Sequence, residues 1–247
     1  MTRRVALLLV ALAVVGTAKA APYETVGAPY ETVAAPYETT VPTVVGHRFS
    51  GADAYRIVQA SVQARRVVSI IPATTEMLFA MGAGDRVVAV GSYDRFPPEV
   101  EKLPRVGALL DPNVERILSL KPDLVILYGT QTDLRTQLDR AGVPIYPYVH
   151  RGLPDVTETI RSLGARVGVG AGANALADRI ERQLADVRTR VAKSPRPKTL
   201  LVFGREPGTL KGIDASGGIG FLHDMLETAG GTDVLADAKQ QSVTMST

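Results

Sequence analysis

Between Arg66 and Tyr148, four short runs of apolar, mostly β-branched residues alternate with segments whose apolar positions recur at helical spacing. Val67–Ile71, Val87–Val90, Leu124–Leu127 and Ile145–Val149 predict strands. Thr75–Met81 predicts a short helix closed by Gly82. Asp111 predicts a cap, with Pro112 at the first position of a helix that runs to Leu120 and stops near Lys121-Pro122. Thr130–Ala141, ending at Gly142, and Leu153–Arg166, with Val156, Ile160 and Leu163 on one face, predict two more helices. Such alternation predicts a parallel sheet with crossover helices. In sheets of that kind ligands bind outside the carboxyl ends of the strands.

Downstream the pattern changes. From Ala171 to Lys193 there is no proline, and glycine appears only at Gly172, while Leu176, Ile180, Leu184, Val187 and Val191 keep helical spacing. At 1.5 Å per residue this is a rod of roughly 34 Å, long enough to act as a strut between lobes. Thr199–Phe203 predicts a strand, followed by a Gly-rich turn, a helix Phe221–Ala229 and a Gly230-Gly231 stop. One strand and one helix cannot build an independent core, so the expectation is a second lobe that is cut short. The predicted fold class is α/β: two Rossmann-like lobes with parallel sheets joined by one long helix, the second lobe incomplete. The expected division is 46–167 for the first lobe, 168–195 for the helix and 196–247 for the partial second lobe.

The amino terminus predicts where the chain works. Arg3 and Arg4 precede an apolar run from Val5 to Val15, and Ala18-Lys19-Ala20 closes it. This is the pattern of a cleavable secretory signal peptide over 1–20. The run is too short to cross a hydrocarbon core that needs roughly 20 residues. Arg3, Arg4 and Lys19 account for the whole formal charge of +3, so the mature part is near neutral and lacks the basic stripe a nucleic-acid partner requires. There is no cysteine, hence no disulfide, no thiolate chemistry and no Cys lipid anchor. Three copies of APYETV/T-type units from Ala21 to Thr40 carry Pro22, Pro29 and Pro36, which forbid a coiled coil. The stretch 21–45 reads as a Pro-punctuated spacer or as an expansion without function.

Candidate chemistry is sparse. Gly168, Gly170 and Gly172 mimic a dinucleotide fingerprint, but a helix and not a strand precedes them. Ser216-Gly217-Gly218-Ile219-Gly220 could cradle an anion; it lacks the Lys-Ser/Thr ending of a P-loop, and a plain turn is the simpler reading. His47, His150 and His223 are far apart, so no metal site is expected, and no catalytic set is visible. His150 could line a cleft; the other two read as surface residues. The loops after the strands are richer: Pro72-Ala73-Thr74, Ser92-Tyr93-Asp94-Arg95-Phe96, Tyr128-Gly129-Thr130-Gln131 and His150-Arg151. Aromatics with scattered polar groups suit a flat, partly apolar ligand.

Taken together, RVVSIIPATTEMLFAMGAGDRVVAVGSYDRFPPEV, LPRVG, PNVERILSLKPDLVIL and LLVFG…GGIGFLHDMLETAGGTDVLAD resemble the periplasmic solute-binding proteins of ABC importers for cobalamin, ferric siderophores and haem. The resemblance covers about residues 65–247, and the turn Ser92-Tyr93-x-x-Phe96-Pro97-Pro98 is similar to the cobalamin branch. It implies a monomeric periplasmic binding protein with no catalytic activity and no cofactor of its own, which hands a corrinoid, or alternatively a ferric siderophore or haem, to membrane permease subunits. It also implies that Tyr93 and Tyr128 contact the ring, with Leu109, Gly204 and Arg205 on the cleft walls. Leu109 departs from the aromatic common in that branch. Glu115 matches the first-lobe glutamate that docks on the permease, and its second-lobe counterpart would fall beyond Thr247. Arg95, Arg151 and Arg205 keep an anionic ligand open. An exported hydrolase or lyase on a similar scaffold is the alternative from another class.

Overall fold

The computed structural model describes residues 63–209 and 211–245. The leader, the Pro-punctuated repeat and His47 lie outside these residues.

Four strands, β1 (Val67–Ser69), β2 (Val87–Val90), β3 (Leu124–Tyr128) and β4 (Ile145–Tyr148), form one parallel sheet in the order β2-β1-β3-β4. Val67, Val68, Leu124, Val125, Ile126 and Leu127 are all fully buried, as expected for parallel strands covered on both faces. The covering helices are α1 (Pro72–Ala80), α2 (Val114–Ser119), α3 (Thr132–Arg140) and α4 (Leu153–Arg166). Ile71, Leu78, Ile117, Leu138, Ile160 and Leu163 from these segments fill the core. Each fully buried aliphatic side chain of this kind contributes about 1.5–3 kcal/mol. The chain steps from β1 to β2 on one side and then returns to β3 on the other, so the topological switch falls at the carboxyl ends of β1 and β3.

Two predicted helix starts shift. The first helix begins at Pro72, which presets the helical dihedral at the first position, so the predicted loop 72–74 is already helix. The second begins at Val114, because the Asn113 side chain accepts from the Arg116 amide at 2.8 Å and takes the capping role. Asp111 instead accepts from the Ala108 amide at 3.2 Å, inside the preceding loop.

Helix α5 (Gly170–Val191) is the long helix of the sequence pattern. Its first half packs along α4: Ala173, Leu176 and Ala177 belong to the first core, and Arg161 of α4 reaches both Asp178 and Glu181 at 2.6 and 2.7 Å. Its end meets α6 (Phe221–Thr228), where Arg188 donates to the Thr228 hydroxyl at 3.2 Å. Beyond α5 lie a parallel pair, β5 (Lys198–Thr199) with β8 (Thr232–Asp233), and an antiparallel sheet of β6 (Val202–Gly204), β7 (Ile213–Ser216) and β9 (Ser242–Met245). The α/β class stands, but this part is not purely parallel and holds more strands than the sequence suggests. The connection from β6 to β7 is too short for a crossover, which leaves only the antiparallel hairpin.

The approach of α4 to α5 depends on one missing side chain. A Cβ built on Gly164 would lie 2.1 Å from the Ala173 Cβ. Gly164→Ala gains about 1 kcal/mol of helix propensity. Overpacking two helix backbones costs about 1–3 kcal/mol, so a net loss in urea unfolding is expected. Gly170→Ala, at a position with nothing within 4 Å of the added atom, should be neutral or mildly stabilising in the same measurement.

Candidate ligand-binding cleft

The turn after β2 divides its residues sharply between water and core. Tyr93 is 64% exposed and Phe96 50%, whereas Asp94 between them is fully buried. The turn is fixed from below by Arg105, whose Nη1 donates to the carbonyls of Gly91 at 3.0 Å and Asp94 at 2.8 Å. Gly91 is packed against this corner: a Cβ there would lie 2.8 Å from the Ile70 carbonyl and 3.0 Å from Asp94 Oδ2. Neither carboxylate oxygen of Asp94 meets a donor at hydrogen-bonding geometry. Burial pushes its pKa up, and the nearby Thr75 hydroxyl, Arg105 and the amides of Gly91 and Asp94 offset this only in part. Glu76, on α1 at the end of β1, is raised as well, first by burial and then by the Asp94 charge.

The loop that follows is stitched to the same edge. Val90 donates to Pro104 at 3.0 Å, Val106 returns to Val90 at 3.1 Å, and Ser92 donates to Gly107 at 2.8 Å. Gly107 has a φ of +91°, and a Cβ there would lie 2.2 Å from the Asp111 carbonyl, so the bend toward Leu109 requires glycine. Leu109 is 44% exposed at its tip. Gln131 then joins two walls: its Oε1 accepts from the Tyr128 amide at 2.9 Å, and its Nε2 donates to the Leu109 carbonyl at 2.9 Å. The sequence pattern places Gln131 in the loop after β3 but assigns it no role of its own.

From Tyr128 a line of rings leads away from the sheet. Tyr128 and Tyr148 have centroids 5.9 Å apart, Tyr148 and His150 6.1 Å, and His150 and Phe221 of α6 5.4 Å. Burial pushes the Tyr148 phenol up to about 12, so it stays protonated, and it shares a hydrogen bond of 2.9 Å with His150 Nδ1. The crowding around His150 lowers its pKa against the pull of Asp155, although part of the residue remains in water. The His150 carbonyl accepts from Gln241 at 3.2 Å, and Asp224 of α6 accepts from the Leu153 amide at 2.8 Å.

Tyr93, Leu109 and Tyr128 thus share one edge, tied together by backbone contacts and Gln131. Glu115 is exposed in the first turn of α2, just beyond this loop. Gly204 and Arg205 belong to the β6 end, and Arg205 donates to the Thr209 carbonyl at 2.9 Å within its own hairpin. His223 is a correction: it is not a surface residue, since its Nδ1 lies 2.9 Å from the buried Asp233 carboxylate. The glycines of 216–220 form a packed turn, with the Gly217 and Gly218 amides donating to Gln241 and Ala238, which leaves neither for an anion. Gly172 likewise serves packing, because a Cβ there would lie 2.4 Å from the Met81 carbonyl. A cavity of about 530 Å³ lies between Leu153, Arg188, Val191 and Asp224, but its charged groups are engaged with one another and with Thr228 and the α4 terminus. Among the described residues no group of His, Cys, Asp or Glu could hold a metal ion, and no helix is long and apolar enough to cross a membrane.

The chain thus combines a two-lobed α/β architecture with exposed aromatic side chains at the carboxyl edge of its parallel sheet, and the comparisons place that architecture in a known family. Residues 67–246 match the family model described as periplasmic binding protein. The chain belongs to the periplasmic binding protein family. It is 31% identical over 178 residues to a vitamin B12-binding protein of Yersinia pestis (strain Pestoides F), a match covering 71% of this chain and 62% of the relative. The chain therefore spans less than two thirds of the length of the curated relatives it matches. Among solved structures it is similar to a periplasmic vitamin B12-binding protein of Vibrio cholerae, with a TM-score of 0.64, 26% identity and coverage of 74% and 71% of the two chains. It is similar as well to a periplasmic haem-binding protein of Roseiflexus sp. RS-1, with a TM-score of 0.63, 28% identity and coverage of 74% and 71%.

The buried Asp94 carboxyl gives a pH test. Because its pKa is raised in the fold, its contribution is fully present below the ordinary aspartate range and is lost as pH rises through the raised value. Thermal melts of Asp94→Asn should therefore gain on the wild type as pH rises from 4 to 7. A gap that is constant with pH would show that Asp94 titrates normally.

Proposed function

We propose that this chain is the solute-binding component of an ABC importer, exported by its leader to the periplasm, where it captures a corrinoid and delivers it to the permease. The observation that carries this reading is the exposed Tyr93–Phe96 turn beside Tyr128 and Leu109 at the carboxyl edge of the sheet. Large flat apolar surface held in water at a topological switch point suits a macrocyclic ring. The vitamin B12-binding proteins to which the chain is similar support the corrinoid choice. Haem or a ferric siderophore is the second reading, supported by the haem-binding relative and by the exposed Arg95 and Arg205.

Calorimetric titration of the purified chain with cyanocobalamin, haem and a ferric siderophore decides between them. Cyanocobalamin should bind, and Tyr93→Ala should weaken it about tenfold, the scale of one lost aromatic contact. Binding of haem alone would replace the corrinoid reading and keep the class. Catalytic turnover of a bound ligand would overturn the class of function itself.

In the same reading Glu115 contacts the permease and not the ligand. It lies in the first helical turn, where a carboxylate is favoured by the helix dipole, so a purely local role has to be separated. Glu115→Ala should leave cyanocobalamin affinity within error and slow association with the permease in a salt-dependent way. Loss of thermal stability with unchanged docking would reduce the glutamate to a helix-end residue.

A further inference from the structure

Helix α5 segregates its charge in a way that the near-neutral balance of the mature chain conceals. Arg179, Arg182, Asp186 and Arg190 follow one another at spacings of three, four and four residues, which sets them in one row along the helix. Lys193, three residues further on, extends the row, because Ala192 keeps helical dihedrals. All five residues are exposed, while Ala173, Leu176, Ala177 and Leu184 turn the other side of the helix into the interior. Over its 14-residue step the row is roughly 21 Å long. The expectation of no basic stripe holds for the chain as a whole and not for this helix.

The acids that could neutralise the row are spent elsewhere. Arg161 of α4 reaches Asp178 and Glu181 at 2.6 and 2.7 Å. Asp186 lies four residues from both Arg182 and Arg190, yet it pairs with neither. Among the described residues no ion pair or side-chain hydrogen bond holds any of the four cations. Arg188 and Arg196 differ in this respect, being engaged with Thr228 and Glu227. The row therefore keeps four cations against one acid available to an outside partner.

We propose that this face of α5 docks the protein on a bilayer surface carrying anionic lipid headgroups. The charges form an extended row with no apolar member, so the attraction is electrostatic and reversible, and it needs no insertion into the acyl region. Long Arg and Lys side chains can each meet a separate headgroup, which suits a laterally spread array of anionic groups better than a single bound ion. Helix α5 has no aromatic residue on which a base could stack, so a single-stranded nucleic acid finds no platform there. Asp186 is the built-in opponent of this attraction, and it makes the proposal testable in both directions.

The test is co-sedimentation of the mature chain, from Ala21, with vesicles of phosphatidylcholine alone or mixed with phosphatidylglycerol. The leader is left off because its apolar run would itself enter either bilayer. The protein should pellet with the anionic vesicles and not with the neutral ones, and about 1 M salt, where the Debye length is about 3 Å, should release it. Arg182→Gln and Arg190→Gln should each weaken binding about fivefold, the scale of one basic residue near an anionic surface. Asp186→Asn should strengthen it by a similar factor. Arg135→Gln removes the same charge from α3, where Arg135 pairs with Asp139 at 3.7 Å, and should change little. Circular dichroism confirms the fold of each variant. No binding to anionic vesicles, equal binding to both kinds, or an Arg135→Gln loss equal to that of Arg182→Gln overturns the docking face. Tighter capture of a DNA duplex than of anionic vesicles at matched phosphate also overturns it and assigns the row to nucleic acid.

Discussion

The carboxyl edge of a parallel sheet leaves its last carbonyls, and the amides of the loops that follow, without ladder partners. How this chain satisfies them determines most of what the cleft can do. Arg105 takes two carbonyls of the turn after β2, Gln131 joins the Tyr128 amide to the Leu109 carbonyl, and the Ser92 amide goes to Gly107. At the end of β1, Ser69 bonds the hydroxyls of Thr74 and Thr75 at 2.9 and 2.8 Å, and both threonines cap the Ile71 carbonyl. With the backbone satisfied by side chains from beneath, the aromatic rings remain at the surface. The edge is rigid in its frame and apolar at its face, which is what a pre-formed site for a large planar ligand needs.

The long helix and the ring path tie the rest of the molecule to that edge. Helix α5 shares its first half with the core of the parallel sheet and its last turns with α6. The path Tyr128, Tyr148, His150, Phe221 follows a second route to the same helix α6. Asp224 closes the connection by capping the first turn of α4. Two independent links to α6 constrain its placement more than either would alone.

The alternation of β-branched runs with amphipathic segments made the parallel sheet legible, because fully buried strands and crossover helices impose both periods at once. The aromatic turn was legible too, since Tyr93 and Phe96 stand among polar residues where a core would not need them. Sequence could not show that Asp94, between those two rings, is fully buried, because a polar turn gives no sign of which side chain folds inward. Nor could it show Gln131 spanning to Leu109, a contact between residues 22 positions apart. His223 read as a surface histidine because its partner Asp233 lies beyond a Gly-Gly stop, and only the return of the chain brings them together. The antiparallel sheet was missed because its strands are short and one of them, β9, follows a long polar loop.

The central claim is that a planar ligand sits on the carboxyl edge formed by the turn after β2, the Leu109 loop and the end of β3. Hydrogen–deuterium exchange of the purified chain with and without cyanocobalamin tests it directly. The account predicts slowed exchange confined to peptides covering residues 91–96, 107–110 and 128–131, with α5 unchanged. Binding with protection elsewhere, for instance around the cavity beside Arg188, and none at these three segments would contradict it.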